Sequence, residues 1–243
     1  MFSRPSPPGV RRPAPMISPA ERGVVYICWG DRIRAELDRS RASLARWHPE
    51  LPVEVVWLAP TATLLDKAAM FDRSPFASTL FLDTDTVVLD RLDFGFEQAE
   101  KHGLACSICE CPYARRFGDL HGDLVEYNTG VLFFTRAAEP VFRKWDELNR
   151  RIDSSVPFHA ANREIRVMVR NDQAGFALAM AETGFNPFVL PLNWNLRPDW
   201  QHSWFGPVKV WHDRTDVPPV VRMHNETQRA DDAIVDFFML KRG

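Results

Sequence analysis

Short apolar runs alternate along the chain with longer segments in which apolar residues recur every three or four positions. The runs Val24–Trp29 and Val53–Leu58 are rich in β-branched residues and predict buried strands. Between them, the spacing of apolar residues predicts a helix that ends before Pro49. A helix over 62–71 and a third strand through Leu80–Leu82 follow.

This strand–helix–strand order predicts an α/β fold, a single Rossmann-like domain with a mostly parallel central sheet and helices on both faces. Such sheets bind nucleotides at the carboxyl ends of their strands. Later patterns predict strands over 103–109, 130–134, 188–190 and 208–211, and helices over 139–152, 171–180 and 231–240. Residues 1–20 contain six prolines and predict a disordered leader, so the expected domain covers 21–243.

Composition excludes some classes of function. The net charge of −2 over 243 residues gives no electrostatic drive toward nucleic acid or anionic membrane. No apolar run has the length of a transmembrane segment. Four cysteines favour a reducing compartment, so we expect a cytoplasmic protein. Cys106, Cys109 and Cys111 could bind zinc with His102 or His121, but the strand pattern over 103–109 favours cysteine as a small buried residue.

Two carboxylates follow the third predicted strand. Asp83 and Asp85 are two positions apart, which on an extended segment places both side chains on the same face. Mg²⁺ and Mn²⁺ prefer carboxylate ligands and leave positions open for the phosphates of a substrate. An Asp-x-Asp pair is also common at strand ends without a metal, so the other motifs decide its meaning.

Other polar motifs could join these carboxylates. Asn128-Thr129-Gly130 precedes a strongly apolar strand, and the glycine permits close approach of a ligand to the backbone. Asn171-Asp172-Gln173 at a predicted helix start is typical of a cap, and such a cluster can also face a cleft. Lys67 could neutralise phosphate charge, although an exposed helix lysine is the ordinary interpretation.

A histidine at the end of the alternating segment Val208–His212 is a candidate third metal ligand. His224 ends a segment of similar pattern, 220–224, so the choice between His212 and His224 stays open. Four tryptophans, Trp194, Trp200, Trp204 and Trp211, lie close together in the sequence. They could stack on sugar rings or fill the core, and the sequence does not separate these roles.

In this order, the motifs resemble the GT-A glycosyltransferases, especially the glycogenin-like family 8 and related nucleotide-diphospho-sugar transferases. The resemblance covers about residues 22 to 215. The matching segments are Val24-Val25-Tyr26, Lys67 with Ser74-Pro75-Phe76, Leu80–Thr86, Tyr127–Val131, Asn171-Asp172-Gln173, Leu190–Asn195 and His212. The stretch after His212 lacks the Gly-x-x-Lys-Pro-Trp sequence that family 8 enzymes often carry.

The resemblance implies a GT-A domain that transfers a sugar from a nucleotide diphosphate donor, with a UDP-sugar expected, to a glycan, lipid or protein acceptor. Mn²⁺ or Mg²⁺ would be held by Asp83, Asp85 and His212. The resemblance also implies catalytic residues, Asp172 and Gln173, which would face the transferred sugar. The implied donor-binding residues are Tyr26, Lys67, Asp83, Thr84, Asn128, Thr129 and Gly130.

Two other classes of function remain open. A haloacid-dehalogenase-like phosphatase also carries Asp-x-Asp after an apolar strand, and there Asp83 would be the nucleophile, with Asp231-Asp232 as a later acidic motif. Against it, about sixty ordered residues precede Asp83, and Thr86 stands where that family has glycine. The second class is a nucleotide-binding domain of the same fold that has lost catalysis.

Overall fold

The computed structural model describes residues 21–110, 124–160, 162–231 and 233–240. The expected leader over 1–20 lies outside these residues, as do Cys111 and His121 of the candidate zinc set. In the described part of the chain, no helix is both long and apolar enough to cross a membrane.

A six-stranded sheet forms the centre of the molecule, with the strand order β2-β1-β3-β6-β5-β9. Its strands are β1 (Arg22–Cys28), β2 (Val53–Trp57), β3 (Ser78–Leu82), β5 (Leu104–Ile108), β6 (Tyr127–Thr135) and β9 (Phe188–Leu190). Five of them run in one direction and β6 runs against its neighbours β3 and β5. The α/β class and the mostly parallel sheet are therefore confirmed.

Alternate residues of each strand point to opposite faces, and each face is covered by helices. On one face Val25, Phe81 and Phe134 pack with the helices α2 (Met70–Arg73), α4 (Glu139–Arg151) and α5 (Gln173–Thr183). On the other face Val24, Leu80 and Phe133 pack with α1 (Arg34–Trp47) and α3 (Asp93–His102). The strands are apolar at nearly every position because both faces are buried.

Three small two-stranded sheets complete the described strands. The short strand β4 (Thr86–Val88) pairs with β11 (Val210–His212), β7 (Val156–His159) with β8 (Ile165–Met168), and β10 (Ser203–Phe205) with β12 (Phe237–Met239). The pairing of β4 with β11 matters for the site, because it brings a distant part of the sequence beside Asp83 and Asp85.

Two predictions about the C-terminal part are wrong. The segment 220–224, which has a strand-like pattern, belongs to the helix α6 (Pro219–Ala230). Its start is marked by Pro219, because proline is favoured in the first helical turn. The predicted helix over 231–240 contains the strand β12 instead. There Phe238 packs against Trp204, so pairing with β10 outweighs the helical spacing.

Candidate active site

The two carboxylates lie on a turn between strands. Strand β3 ends at Leu82 and β4 begins at Thr86, so Asp83 and Asp85 occupy the connection rather than one extended segment. The Thr86 N–H donates to the Asp83 carbonyl at 3.2 Å and closes this turn. In the β4–β11 pair, Thr86 lies opposite His212, which places the imidazole beside both carboxylates.

The start of β6 and the start of α5 supply the remaining polar groups. The Asp83 N–H donates to the Gly130 carbonyl at 2.8 Å, so the first residues of β6 lie beside the turn. Together these segments line a cleft of about 450 Å³. Its lining residues are Leu64, Lys67, Asp83, Asp85, Asn128, Thr129, Asn171, Asp172, Gln173, Arg197, Pro198, Asp199, Trp200, His212, Asp213 and Arg214.

Asp83, Asp85 and His212 form a group that could hold a metal ion, since their potential ligand atoms all lie within 4.8 Å of one another. The Nε2 atom of His212 is 3.3 Å from Asp85 Oδ1 and 3.7 Å from Asp83 Oδ2. Burial disfavours the charged form of Asp85, but the hydrogen bond and charge of His212 outweigh it and lower the pKa of this carboxyl. Asp85 is therefore a carboxylate at neutral pH.

A chain of hydrogen bonds determines which nitrogen of His212 carries a proton. The Gly130 N–H donates to Asn128 Oδ1 at 2.8 Å, which identifies that atom as the amide oxygen. Asn195 must then donate its Nδ2 to Asn128 Oδ1 at 2.7 Å, which leaves Asn195 Oδ1 as the acceptor for His212 Nδ1 at 2.8 Å. The Nδ1 atom therefore holds a hydrogen in either charge state, and Nε2 faces the two carboxylates.

This arrangement fits Mn²⁺ or Mg²⁺ in both ligand type and orientation. An Nε2 atom directed at two carboxylates requires a positive charge there, which either a proton or a metal ion provides. Two carboxylates and one imidazole form the mixed oxygen and nitrogen set that Mn²⁺ accepts, and Mg²⁺ uses the carboxylates of such sets. A hydrogen bond to the other ring nitrogen is the usual support of a metal-bound histidine, and Asn195 supplies it.

Gly130 provides the space in which these groups meet. A Cβ atom at this position would lie 2.2 Å from His212 Cε1 and 2.9 Å from Asp83 Oδ2, well inside van der Waals contact. The hydrogen of glycine thus allows an imidazole and a carboxylate to approach the backbone of β6.

Lys67 is buried at the back of the cleft, and the ordinary interpretation of an exposed helix lysine is wrong. Its ammonium donates to Asp83 at 2.9 Å and to Thr129 Oγ1 at 3.3 Å, and lies 3.4 Å from Asp172 Oδ2. Burial alone would lower the pKa of this lysine, but the carboxylates of Asp172 and Asp83 outweigh it and raise the pKa to about 12. The cleft therefore contains a permanent cation between two acidic side chains.

Three neighbouring residues at the start of α5 differ in the hydrogen bonds that their side chains make. Asn171 Oδ1 accepts the N–H groups of Gln173 at 3.1 Å and Ala174 at 3.4 Å, so Asn171 caps the helix. The side chains of the next two residues are then available to the cleft. Asp172 Oδ2 accepts from the Thr129 hydroxyl at 2.6 Å, and Gln173 Oε1 accepts from the Asn128 amide at 2.8 Å.

A smaller pocket of about 120 Å³ adjoins the carboxylate turn. The end of β1 contributes Ile27 and the following Trp29 to its wall, the turn contributes Thr84, and Arg214 contributes from the far side. Asp83 and Asp85 border both spaces, so the carboxylates lie where the two pockets meet.

Comparisons with known proteins agree with this architecture. No model of a protein family matches the sequence, and no curated protein matches it significantly. Among solved structures, mouse xyloside xylosyltransferase 1 in its apo form is similar with a TM-score of 0.52 and 15% identity, over 81% of this chain and 99% of that one. The galactosyltransferase LgtC, solved with donor and acceptor sugar analogues, is similar with a TM-score of 0.53 and 14% identity, over 81% of this chain and 88% of that one. The fold is that of the GT-A glycosyltransferases.

Within this GT-A fold, one predicted donor-binding side chain is misplaced. Tyr26 is fully buried beneath α1, where its hydroxyl bonds to Ser40 Oγ at 2.9 Å. Successive residues of β1 point to opposite faces, and Tyr26 points into the core rather than toward the sheet edge. The expectation of a donor contact from this side chain is therefore wrong, although Ile27 and Trp29 from the same segment do reach the smaller pocket.

The structure also separates the two histidines left open by the sequence. His224 lies on α6 and is buried, with Nε2 bonded to the Gly206 carbonyl at 2.8 Å and the ring packed against Trp204 and Phe238. It has a structural role in that part of the core. Of the two, only His212 lies with the carboxylates.

Several cleft residues escaped the sequence analysis as site residues. Asn195 stood within a matching segment but was assigned no role, and Arg197 and Arg214 were not selected as site residues. Trp200 was one of four tryptophans for which stacking on a sugar and a place in the core were both left open. Local sequence patterns do not indicate that such residues line the cleft, because contacts between distant positions bring them to it. The contact between Asn195 and His212, for example, spans 17 sequence positions. Trp194, Trp204 and Trp211 are buried, whereas Trp200 is 47% exposed and lines the cleft.

A second histidine–carboxylate group lies outside the cleft lining. The potential ligand atoms of His48, Glu50 and Asp93 also lie within 4.8 Å of one another. Here the Leu92 N–H donates to His48 Nε2 at 2.8 Å, and Nδ1 pairs with Glu50 Oε1 at 3.0 Å. Arg91 binds both carboxylates, Asp93 at 2.7 Å and Glu50 at 3.0 Å. Cys106 is buried within β5, in agreement with the strand interpretation.

Proposed function

We propose that this protein is a metal-dependent glycosyltransferase that moves a sugar from a nucleoside diphosphate donor, expected to be a UDP-sugar, to an acceptor. The observation that carries the proposal is the His212 imidazole, whose Nε2 faces Asp83 and Asp85 in the main cleft of a GT-A fold. The buried thiols Cys28 and Cys106 fit a reducing compartment such as the cytoplasm.

The residues of the cleft would have different roles in binding the metal and the donor, according to their chemistry. Asp83, Asp85 and His212 would hold Mn²⁺ or Mg²⁺, which when bound neutralises the diphosphate leaving group as a Lewis acid. The smaller pocket beside Thr84 would take the nucleoside, because it adjoins the same carboxylates. Burial raises the pKa of Asp83, and Lys67 would oppose this shift and orient the carboxylate.

The sugar of the donor would lie toward the start of α5. Asp172 and Gln173 present a carboxylate and an amide to the cleft, and Asn128 and Thr129 hold them in place. Hydrogen bonds from such groups to sugar hydroxyls orient the anomeric carbon toward the acceptor. Donor and acceptor bound together would displace water from the cleft, so that transfer competes with hydrolysis.

The phosphatase alternative receives less support. Strands β1 and β2 precede Asp83 and belong to the same sheet, and the similar solved structures are glycosyltransferases. Asp231, the residue considered for a later acidic motif, is exposed at the end of α6 and is absent from the cleft lining. Burst labelling separates the two chemistries, since a phosphatase forms a phospho-Asp83 intermediate and a sugar transferase forms none.

The test is a thermal-shift screen of nucleotides and nucleotide-sugars with and without Mn²⁺. At a hundredfold excess over Kd, we expect UDP or its preferred sugar to raise the Tm by about 5–10 °C, and only when the metal is present. The variant Asp85→Asn should lose most of this shift. The matched control Asp93→Asn changes a carboxylate of the second group and should keep the shift.

An equal shift in wild type and Asp85→Asn would overturn the assignment of the metal site. Metal-dependent nucleotide binding without transfer or hydrolysis of any nucleotide-sugar would instead indicate a binding domain that has lost catalysis.

A further inference from the structure

One aromatic side chain of the cleft has no role in holding the metal or the residues around it. Trp200 is 47% exposed and lines the cleft, whereas the neighbouring Trp194, Trp204 and Trp211 are buried in the core. Three of these four tryptophans are buried, so this part of the fold can bury an indole. Trp200 is the one whose ring stays half exposed. The exposed ring is therefore a surface on which a ligand can pack.

Trp200 is held on the same backbone unit as the candidate metal ligand. The Leu196 N–H donates to the Val210 carbonyl at 2.9 Å, and the His212 N–H donates to the Leu196 carbonyl at 2.8 Å. The following turn is closed by the N–H groups of Trp200 and Gln201, which donate to the Arg197 carbonyl at 3.1 Å and 2.9 Å. The backbone that carries the indole is thus tied to the backbone of His212 by main-chain hydrogen bonds.

A charged neighbour supports the ring. The guanidinium of Arg197 lies 5.8 Å from the centre of the Trp200 ring, within the range of a cation–π contact. Arg197 itself is mostly buried and pairs with Glu110 at 3.4 Å, so it is fixed in place. A supported aromatic face loses little side-chain entropy when a ligand packs on it.

The chemistry of the cleft indicates which ligand packs there. Among the lining residues within the described ranges, the apolar side chains are Leu64, Pro198 and Trp200, and the others are charged or polar. A lipid tail would require a continuous apolar groove. A pyranose ring has an apolar C–H face for an indole and hydroxyls at its edge for carboxylate and guanidinium groups such as those of Asp199 and Arg197.

We propose that the segment 197–200 is the acceptor subsite and that the acceptor is a glycan whose terminal sugar ring stacks on Trp200. The inference rests on the proposed function, since a sugar on Trp200 is an acceptor only if the carboxylate end of the cleft holds a donor. It adds the class of the acceptor and the residue that selects it.

The test measures donor and acceptor binding separately. The protein is loaded with UDP and Mg²⁺, and saturation-transfer NMR screens a panel of methyl pyranosides, with a tyrosine peptide and a lipid headgroup analogue as the other acceptor classes. The variants are Trp200→Ala, Trp200→Phe and Trp57→Ala. Trp57 is a matched control because it is 43% exposed and has Arg34 at 4.6 Å from its ring, yet it lies outside the cleft lining.

We expect the wild type to bind at least one pyranoside and Trp200→Ala to weaken that binding about tenfold or more, as loss of an aromatic anchor does. Trp200→Phe should retain most of the binding, and Trp57→Ala all of it. The affinity for UDP with Mg²⁺, measured by calorimetry, should be unchanged in every variant. In steady-state assays, Trp200→Ala should raise the KM for the glycoside.

The failures are distinguishable. If the wild type binds no nucleotide with metal, the proposed function falls and the acceptor subsite with it. If nucleotide binding holds but Trp200→Ala binds pyranosides as well as wild type, or the peptide or headgroup binds instead, the acceptor inference alone is overturned.

Discussion

The described residues include two groups of one histidine and two carboxylates with similar spacing, and the groups differ in which nitrogen of the histidine is available to a metal. In the group of Asp83, Asp85 and His212, the Nδ1 atom is taken by Asn195 and Nε2 faces the carboxylates. In the group of His48, Glu50 and Asp93, a backbone N–H donates directly to Nε2. That contact uses the lone pair with which a metal would bond, so proximity of ligand types alone does not make a metal site.

The two groups also differ in how their negative charge is balanced. Arg91 bonds to Glu50 and to Asp93, so that pair of carboxylates already has its cation. In the cleft, Lys67 pairs with Asp83 and Asp172, and His212 lies closest to Asp85. Among the described residues, Asp85 otherwise has only the exposed Arg214, whose Nε lies 3.9 Å from its Oδ2. The group of Asp83, Asp85 and His212 can therefore take a further cation, whereas the second group is complete as a salt-bridged unit.

The largest expected contrast comes from removing each histidine. His212→Ala should weaken Mn²⁺ binding by at least about a hundredfold, because a ligand is lost. His48→Ala should leave Mn²⁺ affinity unchanged and destabilise the fold by about 2 kcal/mol, because the buried Leu92 N–H loses its acceptor. Electron paramagnetic resonance of free Mn²⁺ and urea unfolding measure the two effects. The reverse pattern would exchange the roles assigned to the two groups.

A smaller effect should follow from loss of the support behind His212. Asn195→Leu removes the acceptor for Nδ1–H, so we expect Mn²⁺ affinity to fall about 10- to 100-fold. Asn193→Leu is the matched control, since this amide lies on the same turn and bonds to the Pro207 carbonyl instead. It should leave Mn²⁺ affinity unchanged. Equal losses in the two variants would mean that the turn as a whole, rather than the hydrogen bond to His212, determines affinity.

The smallest effect is expected at Arg91, which is about half exposed. Arg91→Gln should cost less than about 1 kcal/mol of stability, because exposed ion pairs contribute little. The substitution removes the cation of Glu50 and Asp93, but the Nε2 lone pair of His48 still accepts the hydrogen bond from Leu92. If that hydrogen bond is what prevents metal binding, the substitution creates no metal site. Mn²⁺ titration of Arg91→Gln in the His212→Ala background should therefore show no tight binding. Recovered binding would show that charge balance, rather than the histidine, distinguishes the two groups.

Local patterns predict much of this fold. The apolar runs of β1, β2 and β3 and the helical spacing of α1 and α4 were all visible, because burial on both sheet faces leaves a continuous apolar signal. The antiparallel direction of β6 was not predicted, because an apolar run does not indicate whether a strand lies parallel or antiparallel to its neighbours. The hairpin of β7 and β8 was missed, and the pattern of 220–224 indicated a strand where Pro219 begins a helix.

The site could be predicted in part for a similar reason. Asp83, Asp85, Asn128 and Asp172 stand beside predicted elements, so topology alone brings them to one edge of the sheet. Tyr26 shows the limit of that reasoning, since the face toward which a strand residue points depends on a register that one position reverses. The positions of Asn195 and Trp200 in the cleft depend on hydrogen bonds between a short turn and β11. No local sequence pattern predicts such a contact.

Gly130 has a consequence for attempts to improve this protein. Replacing a strand glycine by alanine ordinarily gains about 0.5–1 kcal/mol, because the unfolded chain loses freedom. Here the added methyl group would collide with the His212 ring and with Asp83 Oδ2, so these candidate metal ligands would have to move. A screen that measures only thermal stability would not detect this displacement. Thermal stability and the proposed metal site therefore place opposite demands on residue 130.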